Sequence, residues 1–247
     1  MKKDSTKGFT LVELLVVIGI LGILMASLFP AISSAMLNAK TTAMASNGRK
    51  IHQAITLANT SREMAGKGTT VWPRKGGDEG GGTQDDNDIG TMTFNSSTEW
   101  FKKLFDIENK GNPDNYRPEV EDLDVNVLSG AGVPPAQGTK LEDRNVAWTA
   151  VANVKDSWPD VMPVLLTRNV HHSDITLTSY NGTDTTPVKL GGSDWKWTDP
   201  FQNKAWVVVR KGGGTEVIKA RYSTLDVVFK NSKIEIQQTP APEFLEP

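Results

Sequence analysis

Residues Phe9 to Phe29 read FTLVELLVVIGILGILMASLF, an almost wholly apolar run with a single charge, Glu13. About 20 consecutive apolar residues suffice for a helix to cross a bilayer. The rest of the chain is polar enough to be a water-soluble domain, so the 247 residues read as one N-terminal anchor followed by one large head. The head is long enough to bury a core of its own. With 27 basic and 29 acidic residues, the net charge is -2. That balance lacks the basic excess of a general nucleic-acid binder. Cysteine is absent, which excludes disulfides, zinc-thiolate sites, iron-sulfur clusters and thiol nucleophiles.

On the N-terminal side of the run lies MKKDSTKG, short and basic. A secretory signal would place a small-residue cleavage site after its apolar stretch. Ala26-Ser27-Leu28 and Ala31-Ile32-Ser33 are poor matches to one, so the apolar helix is expected to stay in the mature protein. Lys2, Lys3 and Lys7 would hold the N-terminus at the cytoplasmic face. Glu13 is the costly residue, since a charge at a helix centre in the bilayer costs roughly 2.5 to 3.5 kcal/mol. The next Lys or Arg is Lys40, so a charged partner must come from another molecule. The plainer alternative is a glutamate close enough to the interface to reach water, four residues or about 6 Å beyond Phe9 along a helix.

The basic leader, Gly8, Phe9, Glu13 and the long apolar tail together resemble the N-terminal motif of type IV pilins and of the pseudopilins of type II secretion systems. The resemblance implies cleavage by a prepilin peptidase between Gly8 and Phe9 and methylation of the new Phe9 amine. It gives Glu13 a role in filament assembly, paired with the Phe9 amine of a neighbouring subunit. Loss of residues 1–8 removes three lysines and one aspartate, taking the net charge from -2 to -4.

On the C-terminal side, Gly19, Gly22 and Pro30 weaken the helix, a proline by removing one backbone hydrogen bond and each glycine by about 1 kcal/mol relative to alanine. They are expected to let it bend or locally melt, or to be a tolerated membrane-helix kink. Residues 31–64 turn amphipathic, with Ile32, Met36, Met44, Ile51 and Ile55 near helical spacing. The spacing predicts one helix to about Met64, about 80 Å long, with Asn47-Gly48 as a weak point and its second half needing a covering sheet.

The head, residues 65–239, opens with a glycine-rich acidic stretch over 66–91 that reads as a long exposed loop. Ser96 and Glu99 form a capping-box pattern ahead of a short helix. Residues 108–142 look irregular. Strands are predicted over 147–154, 161–167, 175–179, 205–210, 216–220 and 227–230, with the glycines at 212–214 as a hairpin turn. Residues 240–247, rich in proline, read as a frayed tail. The fold class is therefore α+β: a long N-terminal helix, membrane anchor over 9–30 and amphipathic over 31–64, packed against an antiparallel sheet. Residues 145–169 and 207–217 also resemble the C-terminal part of prepilin-like proteins of planctomycete and verrucomicrobial bacteria, although that pattern's Asp-Gly turn is here glycine only.

Three constellations in the head could carry chemistry. Asp85, Asp86 and Asp88 supply clustered oxygens, as calcium requires and as the resemblance to major pseudopilins suggests, but without EF-hand spacing; a solvated acidic loop is the commoner outcome, and no cofactor is expected. His171-His172 would point to opposite faces of a strand and so make a poor metal site. Trp195 and Trp197 share a face of an extended segment, either shielding a core edge or stacking on a glycan. No nucleophile triad and no phosphate loop is present, so no enzyme activity is expected. The expected function is a structural filament subunit of a type IV pilus or, preferably, a type II secretion pseudopilus. It would sit in the bacterial inner membrane with its head in the periplasm before entering the filament. Its partners would be itself, the prepilin peptidase, the secretion or pilus assembly platform and the membrane, and not nucleic acid. The alternative is a membrane-anchored binding module that does not assemble.

Overall fold

The computed structural model describes residues 9–76, 88–112, 114–120 and 122–247. Helix α1, Leu11–Met64, is continuous through Pro30. Ser27 Oγ donates to the Leu24 carbonyl one turn before the proline. The chain divides into two compact units, Met1–Ala39 and Lys40–Pro247, and α1 runs from the first into the second.

In the first unit every residue from Phe9 to Met36 is exposed. In the second, the α1 residues Met44, Ile51 and Ile55 are fully buried at the helical spacing read from the sequence. They meet a five-stranded antiparallel sheet of order β5-β4-β2-β1-β7, made of β1 Trp148–Ala152, β2 Pro163–Thr167, β4 Ala205–Arg210, β5 Thr215–Lys219 and β7 Glu243–Leu245. Gly48 is a point of close approach: a Cβ there would lie 2.6 Å from Val209 Cγ2 and 2.7 Å from the Trp148 ring. The weak point expected at Asn47-Gly48 is thus the place where helix and sheet need the smallest residue. One turn on, His52 Nε2 lies 2.7 Å from the Lys211 carbonyl, joining α1 to the β4–β5 turn.

Both faces of the sheet are covered, which is why β1, β2 and β4 are buried at every position and read as continuous apolar runs. On the second face Trp206, Val208 and Leu166 pack with Trp158, Phe229 and Ile234. That side carries a small two-stranded sheet, β3 Ser179–Tyr180 with β6 Ile234–Glu235, and the short helix α3 Leu225–Val228. Helix α2, Ser97–Leu104, is capped as predicted, Ser96 Oγ accepting from the Glu99 N–H at 3.2 Å. The Glu99 carboxylate reaches back to the Asn95 N–H, one residue before the cap.

Four expectations are corrected. Residues 227–230 are not a strand, because Arg210 donates to the carbonyls of Val227 and Val228 and fixes the end of α3. Of residues 175–179 only Ser179 is in a strand. The stretch from 66 to 91 is not simply an exposed loop, since Val71, Trp72 and Ile89 are buried; Asn59 Oδ1 accepts the Val71 N–H and Trp100 Nε1 donates to the Val71 carbonyl. The tail does not fray: β7 pairs with β1, Leu245 is fully buried, and Gln238 and Asn153 hold the approach through Trp158 Nε1 and the Ala241 carbonyl.

Candidate functional site

The first unit holds the candidate site at its N-terminal end. Phe9 is exposed and α1 starts two residues later. Thr10 caps it: the Thr10 N–H and hydroxyl both donate to Glu13 Oε2, at 2.8 and 2.7 Å, while Thr10 Oγ1 accepts from the Glu13 N–H at 3.2 Å. This is a reciprocal capping box, which satisfies backbone donors that a helix start otherwise leaves open. The sequence reading sought a cation for Glu13 and missed Thr10, although Thr-x-x-Glu is the same kind of signal it used at Ser96 and Glu99. Glu13 Oε1 has no partner among the described residues, so one oxygen remains for a second donor. Gly8 lies outside the described residues.

A Cβ at Gly19 or Gly22 would meet nothing within 4 Å, so neither glycine is required by packing within this chain. Pro30 sits inside α1 without ending it. The helix is long and apolar enough to cross a membrane, and its apolar span has no cover of its own.

These features sit on a recognisable motif. Residues 3–29 match the family model described as the prokaryotic N-terminal methylation motif. The methylation motif covers the leader from Lys3 on, Gly8, Phe9, the Thr10–Glu13 cap and the apolar run together. It supports a place among pilin-like and pseudopilin-like substrates of prepilin peptidase, and with the apolar helix it is consistent with membrane anchoring. No curated protein and no solved structure matches the chain.

The other candidate residues are placed differently from the sequence reading. Asp85 and Asp86 lie outside the described residues. Asp88 is engaged by Arg62, a buried guanidinium that also contacts both Glu119 carboxylate oxygens, the Thr69 hydroxyl and the Thr69 carbonyl. Asp88 also accepts from the Gly90 N–H at 2.9 Å. Burial raises the Asp88 pKa, but the Arg62 and Gly90 hydrogen bonds and the charges of Arg62 and Lys67 outweigh it and leave it lowered. A protein cation therefore holds this carboxylate. Among the described residues no group of three or more His, Asp or Glu side chains is placed to hold a metal.

His171 and His172 do not face opposite ways, because the strand has ended at Thr167 and His172 opens a short 3-10 turn. Both rings contact Trp195, His171 stacked at 4.4 Å and His172 edge-on at 5.2 Å. Their Nε2 atoms meet the Gly191 carbonyl and the Glu246 carboxylate. Trp195 Nε1 donates to the Arg168 carbonyl, and the Trp197 ring has the Arg168 guanidinium and the Lys196 ammonium each 4.4 Å from its centre. The two tryptophans cover the edge around Arg168 with ring contacts already made.

Proposed function

We propose that this protein is a structural filament subunit, processed by a prepilin peptidase after Gly8, methylated on Phe9 and assembled through α1. The observation that carries the reading is an exposed apolar first half of α1, in which the run Phe9 to Phe29 has as its only charge a half-satisfied carboxylate at the helix start. An uncovered helix of this kind needs lipid or other helices around it. Cutting after Gly8 creates an amine at Phe9, and Glu13 Oε1 of a neighbouring subunit is a matching acceptor. Thr10 holds the carboxylate in one orientation, so the second oxygen is presented rather than free to rotate. Of the two filament kinds, a type II secretion pseudopilus is our preferred version: the cysteine-free head secures its C-terminal end by strand pairing rather than a disulfide loop. The glycan-binding alternative loses support, since the faces of Trp195 and Trp197 are engaged by histidine and cationic side chains.

The test is Glu13→Ala in cells. We expect normal removal of residues 1–8, read by mass, and loss of the subunit from sheared filaments. Incorporation at the level of the parent chain would overturn the assembly role.

A further inference from the structure

Two cavities in the head share Gly68, Thr69, Thr70, Trp72 and Asp156 in their walls and form one groove along the segment leading to Arg74. The first, about 450 Å³, is bounded by the α1 residues His52, Thr56, Asn59 and Thr60 and by Lys211. The second, about 290 Å³, adds Arg74, Asn153, Lys155 and Pro240. Volumes of this order accommodate bound ligands.

The groove's charge runs against that of the chain. Lys67, Arg74, Lys155 and Lys211 line it against only Glu63 and Asp156, in a protein whose net charge is -2. Lys155 has no ion-pair partner among the described residues, Lys67 acts on Asp88 through its charge without a close ion pair, and Lys211 reaches only the exposed Asp160, at 3.7 Å. Its polar groups are complementary to a peptide backbone. The Thr56 and Thr60 hydroxyls donate to the carbonyls of His52 and Thr56, so both offer acceptors to the groove. Asn59 Oδ1 is taken by the Val71 N–H, and the Asn59 amide nitrogen has no partner among the described residues, leaving a donor. A sugar would want an open aromatic face, but Trp72 is only 6% exposed, its ring against Trp100 and His52.

We propose that this groove binds an extended acidic peptide segment of a partner protein. Its carboxylates pair with Lys67, Lys155 and Lys211, its N–H groups with the hydroxyls of Thr56 and Thr60, and a carbonyl with the Asn59 amide. Such charge complementarity supplies selectivity and speed of capture more than raw affinity. The site lies within the second unit, Lys40–Pro247, with α1 forming one wall, and uses none of the exposed apolar residues 9–36.

The experiment uses the full chain in detergent, with a fluorescent ten-residue Glu-Gly repeat as probe, followed by anisotropy. Binding is expected, weakening between about 50 and about 300 mM salt as screening grows. The double variant Lys67→Glu/Lys155→Glu should lose affinity by about tenfold or more, and Lys155→Glu alone, which leaves the Lys67 charge beside Asp88 in place, should weaken binding with an unchanged thermal midpoint. Lys196→Glu, outside the groove, should bind as the parent does. Equal binding of a Lys-Gly or Ser-Gly repeat, undiminished binding by the double variant, or preference for an acidic oligosaccharide over the peptide would each overturn the proposal.

Discussion

Arg62 shows how much one side chain can organise without leaving a trace in the sequence. It closes α1, and its guanidinium reaches Thr69, Asp88 and Glu119, which lie 7, 26 and 57 residues further along the chain. No motif announces such a residue, because its partners are brought together only by the fold; Asp88 was legible only as one member of an acidic run. Breaking a buried ion pair typically costs about 3 to 5 kcal/mol, and Asp88 and Glu119 each retain some solvent here. Arg62→Ala should therefore lower head stability by about 2 to 4 kcal/mol in urea unfolding. The pH dependence has a definite sign. The Asp88 pKa is lowered below its ordinary 3.8, so its contribution is present above that value and lost as pH falls through the folded-state pKa. Below about pH 4, Asp88→Asn should show a shallower fall in stability with pH than the parent, and a parallel fall in both proteins would remove Asp88 from the account.

At the scale of elements, what could be read was whatever local pattern alone dictates. The strand Ala205–Arg210 has the bounds its sequence predicts because it is rich in β-branched residues, continuous and followed by a glycine turn; the helix after Ser96 is marked by its cap. Misreadings fell where tertiary contacts override propensity. Val227 and Val228 favour a strand on composition, yet Arg210 holds their carbonyls at a helix end. The final strand, Glu243–Leu245, is masked in the sequence by the prolines that flank it, Pro240, Pro242 and Pro247, and it pairs at the sheet edge where such neighbours are tolerated. Gly48 is the sharpest case, since sequence alone makes it a defect that alanine would repair by about 1 kcal/mol. In the fold, the alanine methyl would collide with Val209 and Trp148, both fully buried. Gly48→Ala should instead destabilise the head by about 1 to 3 kcal/mol. Gly19→Ala, where a Cβ meets nothing, should leave the head's thermal midpoint unchanged. If both substitutions behaved alike, the close approach of α1 to the sheet would have no energetic weight.

Across the whole molecule, the opening contrast between an apolar run and a polar remainder corresponds to a division in the contacts. No residue from Phe9 to Met36 is buried, whereas burial on α1 starts at Thr41, and the core is completed by residues that follow. The apolar run was legible because a bilayer-length segment is a property of composition and length; the core was less so because it depends on which strands become neighbours. The division also separates what each part requires of its surroundings. The first unit needs lipid or other helices, while the second already covers both faces of its sheet. A chain beginning at Lys40 should therefore remain folded in water without detergent. Its urea midpoint should lie close to that of the full chain in detergent, because the described residues among those removed, 9–39, contribute no buried side chain to the core. The urea slope, which follows the surface exposed on unfolding, should likewise be retained. Aggregation of the shortened chain, or a slope reduced by a third or more, would mean that the head depends on α1 residues before Lys40 for its cooperative core.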